Sequence, residues 1–391
     1  MASIMQTQAG DAGAFRSFDL SRVPSPCFVV DEAAIERNLS ILHDVGERSG
    51  ATVLAALKAF SMFSLAPLTM RYLSGVCASG LYEARLGREE YGGEVATYCA
   101  GYKPGEIDEI IGLSDHMIFN SPAQKDRFLP RIGTASRPVH VGLRINPEHS
   151  EGEIPKYDPC APGSRLGTPL SQITADMLEG VDGFHMHTLC EQGFEPLLRT
   201  WNAIEDRISP FLKDLKWLNF GGGHHITRED YDREGLIAFI RDLREKTGLT
   251  IYLEPGEAVA LDAGILVGEI LDLPTNGVDL AITDISATCH MPDVIEAPYR
   301  PAMLGEVESG HTYRLGGPSC LAGDVIGDYT RPEPLRIGDR IAFLDQGHYS
   351  MVKTNTFNGV PLPSIALWNS ETDELRMIRE FEYADFRNRL S

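Results

Sequence analysis

Short apolar segments alternate with amphipathic helical segments along most of this chain, from about residue 51 to residue 275. The apolar segments have the length and composition of buried parallel strands. They include Val139–Ile145, Gly180–His187, Trp217–Phe220 and Ile251–Glu254. The helical segments include Leu81–Tyr91, Phe194–Ile208 and Arg233–Thr247. This α/β repetition predicts a (β/α)8 TIM-type barrel over residues 51–275, with functional residues at the carboxyl ends of its strands.

The two ends of the chain follow a different pattern. Residues 1–20 predict a flexible leader. Residues 21–50 contain an apolar strand that ends at Asp31, which is suited to cap the amphipathic helix that follows. Residues 276–391 are rich in Pro, Gly and short alternating runs, which is typical of antiparallel sheets. We therefore expect a mainly antiparallel β domain built from the N-terminal strand and the C-terminal segment.

Composition narrows the function classes. The chain has 391 residues, which suits two domains, and 35 basic against 56 acidic residues give a formal net charge of −21. This charge disfavours nucleic acid and anionic membranes as partners. Seven scattered cysteines without paired spacing predict a reducing compartment, and no apolar segment approaches the ~20 residues of a bilayer span. We predict a cytoplasmic protein without a membrane or nucleic-acid partner.

A single lysine ends one of the predicted strands. The run from Val53 to Ala59 is apolar except for Lys58. Lysine is almost never buried without a partner, so Lys58 either extends its amine to solvent or is held at the strand end for chemistry. The motifs downstream favour chemistry, and we interpret Lys58 as the Schiff-base lysine for pyridoxal 5′-phosphate (PLP).

Two turns after predicted strands are suited to hold such a cofactor. Gly221, Gly222 and Gly223 follow one strand, where backbone N–H groups without Cβ atoms nearby can surround a phosphate. Glu254 ends the next strand and is placed to accept a hydrogen bond from a protonated ring nitrogen, while Gly256 offers a further N–H. The alternative interpretation is that both segments are ordinary tight turns with a carboxylate at the rim.

Several histidines raise the question of a metal site. His185 and His187 alternate along one strand and therefore share a side of it, and His224 and His225 follow the glycines. The alternatives for the first pair are metal ligands, an imidazole stacked on a flat cofactor, or a hydrogen-bonded core histidine. We predict no metal, because no third ligand stands at a recognised spacing.

Two further residues stand in turn-rich segments near the C-terminus. Tyr349 places a hydroxyl after a turn, either as a second phosphate donor or as a packed tyrosine. Cys320 lies in a loop of Gly, Pro and Ser, where an inert thiol is the ordinary interpretation.

Six segments, taken in order, resemble the fold-type III PLP-dependent decarboxylases, which include ornithine and diaminopimelate decarboxylases and share their barrel with alanine racemase. The resemblance runs from about Pro24 to Asn358, and within the family it is closest in pattern to the carboxynorspermidine (carboxyspermidine) decarboxylases. The segments are Ala55–Ala59, Gly183–His187, Asn219–His225, Glu254–Ala258, Cys289–Val294 and Gly317–Asp324.

The resemblance implies a role for each matching residue. Lys58 would bind PLP covalently, His187 would stack on its ring, and Glu254 would hold the ring nitrogen. The phosphate would be held by Gly221, Gly222, Gly223, Gly256 and Tyr349. These enzymes are homodimers with shared active sites, in which Cys320 would enter the neighbouring site as the proton donor and Asp324 would meet a distal amine.

Two departures from the better-known relatives point to a cationic substrate. Those relatives carry arginine after Glu-Pro-Gly, whereas this chain has Glu257, and Val76 stands where ornithine decarboxylases place an aspartate. A reversed charge favours a protonated amine over a distal carboxylate. We therefore expect a carboxy-polyamine substrate whose ammonium groups are met by Glu257, Asp293 and Asp324.

Other functions remain as alternatives at this point. They are a diaminopimelate- or ornithine-type decarboxylase, a racemase of the same fold, a catalytically inactive regulatory homologue and a metal hydrolase. Racemases of this barrel place arginine at the ring nitrogen, and Glu254 argues against that class. A regulatory homologue would have no need of Lys58 and Glu254 together.

Overall fold

A computed structural model describes residues 5–6, 10–152 and 156–391 of the chain. It divides into two compact units. The barrel unit comprises Arg37–Val259, and the sheet unit comprises Met1–Glu36 together with Ala260–Ser391. Each unit has its own apolar core, so the two are described separately.

Strands and helices follow one another along the chain with these bounds. The strands are β1 Met5–Gln6, β2 Cys27–Asp31, β3 Thr52–Ala56, β4 Gly75–Ala78, β5 Glu94–Tyr98, β6 His116–Phe119, β7 His140–Asn146, β8 Thr168–Pro169, β9 Gly183–His185, β10 Trp217–Asn219, β11 Thr250–Leu253, β12 Gly264–Asp272, β13 Leu280–Thr283, β14 Tyr299–Arg300, β15 His311–Gly316, β16 Val325–Arg331, β17 Arg340–Leu344, β18 Ser364–Trp368 and β19 Leu375–Arg379. The α-helices are α1 Glu32–Ser49, α2 Ala66–Tyr72, α3 Leu81–Leu86, α4 Ile107–Leu113, α5 Pro122–Ile132, α6 Phe194–Leu212, α7 Arg233–Thr247, α8 Glu257–Ala260, α9 Ala287–His290, α10 Asp293–Glu296 and α11 Tyr383–Arg387.

The barrel unit is a closed parallel barrel of eight strands, as the alternating pattern predicts. Strands β3, β4, β5, β6, β7, β9, β10 and β11 pair in that order, and β11 pairs back with β3. Every one of these pairings is parallel. Since all strands run the same way, the residues that follow them gather at one end of the barrel.

Helix α7 shows how the sequence sets these elements. The Asp232 side chain accepts a hydrogen bond from the Gly235 N–H and so caps the first turn. Gly248, with a φ of 73°, ends the helix in a left-handed conformation that favours glycine. Four apolar positions recur at helical spacing and are buried: Leu236, Ile237, Ile240 and Leu243.

The sheet unit is built around a mostly antiparallel sheet in the order β16-β15-β13-β12-β2-β18-β19, with β17 paired to β12. The N-terminal strand β2 pairs antiparallel with β12 and parallel with β18, which confirms that it belongs to this sheet. Successive residues of β2 enter different apolar clusters, Phe28 on one side of the sheet and Val29 on the other.

The structure corrects two of the predicted boundaries. Strand β12, assigned by the sequence pattern to a barrel ending at residue 275, pairs with β2 and β17 of the sheet unit, which begins at Ala260. An apolar run does not by itself reveal its sheet partner. Residues 10–20 of the predicted leader are packed, because Phe15 and Phe18 lie against Trp368. Residues 1–4 and 7–9 lie outside the described residues.

None of the described helices combines the length and the apolar character that a bilayer crossing requires.

The packed N-terminal aromatic residues generate a stability prediction. The Phe18 ring lies 4.9 Å from the Trp368 ring and is 5% exposed. We expect Phe18→Ala to lower the free energy of unfolding by about 3–5 kcal/mol, because it removes a buried ring and leaves a cavity. Denaturant unfolding measures this, with Tyr82→Ala, at an 82% exposed position, as the control. Equal unfolding midpoints for Phe18→Ala and the unmodified protein would contradict the packing of residues 10–20.

Candidate active site

Lys58 lies in the turn that follows β3. The Leu57 N–H donates to the Cys77 carbonyl and the Ala59 N–H to the Ala56 carbonyl, so this turn is fixed at the carboxyl end of the strand. The Lys58 amine lies 3.5 Å from His187 Nε2. Solvent reaches the side chain, yet loss of hydration among the surrounding groups, followed by the positive charge of Arg144, lowers the pKa of Lys58. The exposure of the side chain and its lowered pKa are consistent with an amine that is open to solvent on one side and enclosed on the others.

His187 is oriented by the backbone of the glycine turn. Its Nδ1 accepts a hydrogen bond from the Gly222 N–H at 2.9 Å. The proton of a neutral ring is therefore on Nε2, the nitrogen that faces Lys58. Burial, and then the positive charges of Lys58 and Arg144, hold the pKa of His187 well below its usual value. The geometry thus favours a neutral imidazole with one defined tautomer.

Glu254 is a buried carboxylate immediately after β11. Its Oε1 accepts a hydrogen bond from Asn219 Nδ2 at 2.7 Å, and its Oε2 accepts one from His185 Nε2 at 3.1 Å. Burial alone raises the pKa of Glu254, but the neighbouring His185 and Asn219 outweigh burial and leave it below the usual value. Glu254 is therefore ionised, with each oxygen held by a donor, although only 8% of the residue is exposed.

Two N–H groups of the glycine turn after β10 have partners within the protein. The Gly221 N–H donates to Asn219 Oδ1 at 2.7 Å, and the Gly222 N–H is committed to His187. Among the described residues, only the Gly223 N–H of the three has no hydrogen-bond partner. A Cβ atom on Gly223 would lie 2.0 Å from the Leu189 carbonyl oxygen, and its φ of 84° also favours glycine. Close approach of two backbones therefore requires this glycine.

Gly256 joins the two turns that carry Lys58 and Glu254. A Cβ atom at this position would lie 2.7 Å from Ala59 Cβ and 3.2 Å from Ala56 Cβ. The Glu-Pro-Gly turn can therefore pack directly against the turn of Lys58 only because residue 256 is glycine.

Glu257, the first residue of α8, lies in an acidic group. Its Oε2 is 3.3 Å from His225 Nε2, and one ligand atom each from Glu191, His225 and Glu257 lie within 4.8 Å of one another. Sequence reasoning considered His225 for a metal but did not find Glu191, because that residue stands in a loop without a recognisable motif. Two carboxylates and an imidazole can meet a cation, either a metal ion or an organic ammonium group.

Cys320 and Asp324 lie in the sheet unit, in the loop between β15 and β16. Cys320 is exposed, and its N–H donates to Asn358 Oδ1 at 2.7 Å. Asp324 is only 4% exposed, and its carboxylate accepts hydrogen bonds from the side chain of Ser286, the backbone of Thr288 and both groups of Ser319. These contacts tie Asp324 to its loop, and its contact with a substrate amine stays a prediction.

The remaining predicted residues are also in the sheet unit. Asp293 accepts a hydrogen bond from Lys353 Nζ at 2.6 Å, so its charge is already balanced. The Tyr349 ring lies edge-on to His348 at 6.0 Å and beneath Lys353, whose amine is 5.9 Å from the ring centre. The structure thus brings Lys58, His187 and Glu254 together in one unit and places Cys320, Asp324, Asp293 and Tyr349 in the other.

The family model of the pyridoxal-dependent decarboxylases, described as their C-terminal sheet domain, matches residues 27–347. The chain belongs to this family. It is a PLP-dependent carboxy-lyase, and PLP is its cofactor.

Individual relatives of this decarboxylase cover nearly all of its length. The carboxyaminopropylagmatine decarboxylase of Synechocystis is 42% identical over 95% of this chain and 96% of its own. The carboxynorspermidine/carboxyspermidine decarboxylase of Campylobacter jejuni is 39% identical over 93% of this chain and 98% of its own. The solved structure of the Campylobacter jejuni carboxynorspermidine decarboxylase with norspermidine matches at a TM-score of 0.85 and 38% identity, over 94% and 100% of the two chains. A diaminopimelate decarboxylase of Streptomyces coelicolor is more distant, at 25% identity over 84% of each chain.

The barrel unit fits PLP on its own geometry. It supplies an amine with a lowered pKa, a neutral imidazole beside that amine, and a buried ionised carboxylate. Gly223 adds a backbone N–H that is not committed within the described part of the chain. An aldehyde, an aromatic ring, a protonated ring nitrogen and a phosphate are the groups that such a set can hold.

The lowered pKa of Lys58 generates a prediction about cofactor capture. An amine attacks an aldehyde only when it is unprotonated, so the rate at which the apoprotein binds PLP covalently should rise with pH through the pKa of Lys58. We expect the midpoint to lie below the ordinary lysine value of 10.5. Arg144→Met removes a positive charge and should raise the midpoint. Stopped-flow absorbance at a series of pH values measures it.

Arg137→Met is the control for that experiment, since Arg137 is ion-paired to Asp115 and does not contribute to the pKa shift of Lys58. A midpoint at or above 10.5 in the unmodified protein would contradict the proposed environment of the amine.

Proposed function

We propose that this decarboxylase removes the α-carboxyl group of carboxynorspermidine and/or carboxyspermidine, giving norspermidine or spermidine. The observation that carries the proposal is the match over nearly the whole chain to the Campylobacter jejuni decarboxylase of these substrates, whose structure contains norspermidine. The proposal places the enzyme in polyamine biosynthesis. Its cytoplasmic location stays a prediction from the cysteine content.

The barrel unit would supply the contacts to the aldehyde, the ring and the ring nitrogen of PLP. Lys58 would bind the aldehyde group, the flat face of the neutral His187 ring would cover the pyridine ring, and ionised Glu254 would keep the ring nitrogen protonated. The Gly223 and Gly256 N–H groups would bind the phosphate, with Tyr349 as the further donor that the resemblance implies. When bound, PLP accepts the electron pair released as the carboxylate departs.

The protein's own part of the reaction is a proton transfer. The bond between the α-carbon and the carboxylate breaks, carbon dioxide leaves, and the electron pair of that bond would be shared between the α-carbon and the bound cofactor. The Cys320 thiol would then give its proton to that carbon, and the resulting thiolate would regain a proton from solvent. Asn358 and Asp324 hold the backbone of the loop that carries this thiol.

Glu257 is the acid that we assign to the distal ammonium group of the substrate. Of the three acids predicted for this role, Asp293 is balanced by Lys353 and Asp324 is committed to its loop. Glu257 has a second carboxylate, Glu191, in its group. A negative charge at this position disfavours the distal carboxylate of diaminopimelate.

We also propose that the enzyme is a homodimer in which Cys320 serves the neighbouring subunit's active site. The support is the location of Cys320 on an exposed loop, flanked by apolar side chains that are themselves exposed. Leu321 is 42% exposed and Phe357 is 45% exposed. Apolar side chains around a functional loop are typical of a protein–protein contact.

A second substrate, carboxyaminopropylagmatine, is favoured by the 42% identity to the Synechocystis enzyme. This substrate ends in a guanidinium group rather than an ammonium group. The guanidinium and ammonium groups are both cationic, so the acidic group of Glu191 and Glu257 suits either substrate. Guanidinium is planar and binds a carboxylate through two parallel hydrogen bonds, whereas ammonium binds as a point charge.

Release of carbon dioxide from the candidate substrates tests the proposed function. We expect turnover of carboxynorspermidine and carboxyspermidine, and no turnover of diaminopimelate or ornithine. Glu257→Gln should raise KM for the carboxy-polyamines about 10- to 100-fold, the loss expected for a hydrogen bond to a charged group. Glu195→Gln, at a side chain that is 81% exposed, is the matched control.

The outcomes separate the candidates. Turnover restricted to carboxyaminopropylagmatine would replace the proposed substrate by the second candidate. Turnover of none of them by folded protein that also fails to bind PLP covalently would favour the regulatory homologue, and loss of activity to chelators would favour a metal at Glu191, His225 and Glu257.

Mixing two inactive variants tests the shared site. Lys58→Ala should lose covalent PLP and activity, and Cys320→Ala should lose rapid protonation of the α-carbon. A mixed dimer of the two variants contains one site with both Lys58 and Cys320 only if Cys320 comes from the partner chain. We therefore expect mixing to restore activity that neither variant has alone. Absence of restored activity in a confirmed mixed dimer would show that each chain completes its own site.

A further inference from the structure

The burial of His185, on strand β9, is not explained by apolar packing. This residue is 2% exposed, and its Nε2 donates to Glu254 Oε2 at 3.1 Å. Its Nδ1 is buried and has no hydrogen-bond partner within residues 10–152 and 156–391. Burying a nitrogen without a hydrogen-bond partner is unfavourable. We therefore take the hydrogen bond from Nε2 to Glu254 as the reason for the position of the ring.

The His185 ring is also stacked on an aromatic side chain. The ring centres of His185 and Tyr98 are 5.6 Å apart, with 14° between their planes. The Arg144 guanidinium lies 4.5 Å from the centre of the Tyr98 ring and donates to the His187 carbonyl at 3.3 Å. A continuous set of contacts therefore runs from Glu254 through His185, Tyr98 and Arg144 to His187.

We propose that His185 is a positioning residue that fixes the carboxylate of Glu254 in the orientation and charge state needed at the ring nitrogen of PLP. This inference rests on the proposed function only in taking Glu254 as the residue that faces the ring nitrogen. His185 acts through Glu254 and contacts neither the substrate nor the reacting carbon.

Two features of the geometry support this role. Asn219 and His185 donate to opposite oxygens of Glu254, so the carboxylate cannot rotate without breaking one of the two hydrogen bonds. Burial lowers the pKa of His185, which keeps the imidazole neutral and leaves the negative charge of Glu254 without a cationic partner in this pair. That charge is then available to a protonated ring nitrogen.

The stack on Tyr98 adds a second consequence. Because the same set of contacts reaches the backbone of His187, the two residues predicted to touch the cofactor ring are held relative to each other by side chains within the barrel. A change at His185 should therefore disturb binding of the ring and not only the charge of Glu254.

Two substitutions separate the functions of the His185 ring. His185→Phe keeps an aromatic ring against Tyr98 and removes the donor, whereas His185→Gln keeps a donor and removes the ring. We expect His185→Phe to weaken PLP binding about 10- to 100-fold and to lower kcat without a matching rise in KM. Because His185→Gln keeps the donor but loses the stack on Tyr98, we expect it to restore most of kcat and only part of the PLP affinity.

The decisive readout is the ¹⁵N chemical shift of the ring nitrogen in holoenzyme loaded with ¹⁵N-labelled PLP, which reports protonation directly. His185→Phe should shift the resonance toward the unprotonated value, and His185→Gln should return it. Glu254→Gln sets the scale of the full effect. Circular dichroism and thermal unfolding verify that each variant is folded.

His116→Phe is the matched control. His116 is a second buried histidine of the barrel, 2.7 Å from Glu94, but it begins strand β6 at the opposite end of the barrel from Glu254. This variant should lose stability and leave the ¹⁵N shift unchanged.

The possible results are distinct. If Glu254→Gln moves the ¹⁵N shift and folded His185→Phe does not, the positioning role is wrong and the proposed function stands. If neither moves it, Glu254 does not face the ring nitrogen, and both this inference and that part of the proposed function fail. An equal effect of His116→Phe would reduce the role of His185 to stability.

Discussion

An ionised carboxylate inside a protein requires donors that replace the water it has lost, and this requirement organises the candidate active site of the barrel. Glu254 is buried at the end of β11, and Asn219 and His185 supply these donors, one to each oxygen. Removing either donor would leave part of a buried charge unpaired, which is far less favourable than never burying it. The burial of one acidic residue therefore explains why both of its neighbours are hydrogen-bond donors.

The glycine turn serves the same arrangement. Gly221 binds the amide oxygen of Asn219 and so orients the amide that holds Glu254, while Gly222 binds Nδ1 of His187 and so fixes its tautomer. Glycine is needed because this turn passes within contact distance of other backbone segments, as at Gly223. The turn thus positions two side chains through the N–H groups of Gly221 and Gly222.

In the sheet unit, a second buried acid holds a loop. Asp324 gathers hydrogen bonds from Ser286, Thr288 and Ser319, and it thereby ties the Cys320 loop to the segment before α9. The carboxylate is used to shape a loop, and the exposed thiol is what the loop presents. The Cys320 loop and the Lys58 turn are therefore each held by hydrogen bonds within their own unit.

Strand periodicity and the residues at strand ends are local properties of the chain, and they were enough to predict the α/β barrel, the sheet domain with its N-terminal strand, and Lys58 and Glu254 as candidates. The folded chain was needed to establish that β12 joins the sheet unit, that Asp324 is committed to a loop, and that His185 contacts Glu254. These facts depend on which distant segments meet. A local pattern carries no information about the partner that will satisfy a buried charge, and in this protein His185 and Asn219 are both far from Glu254 along the chain.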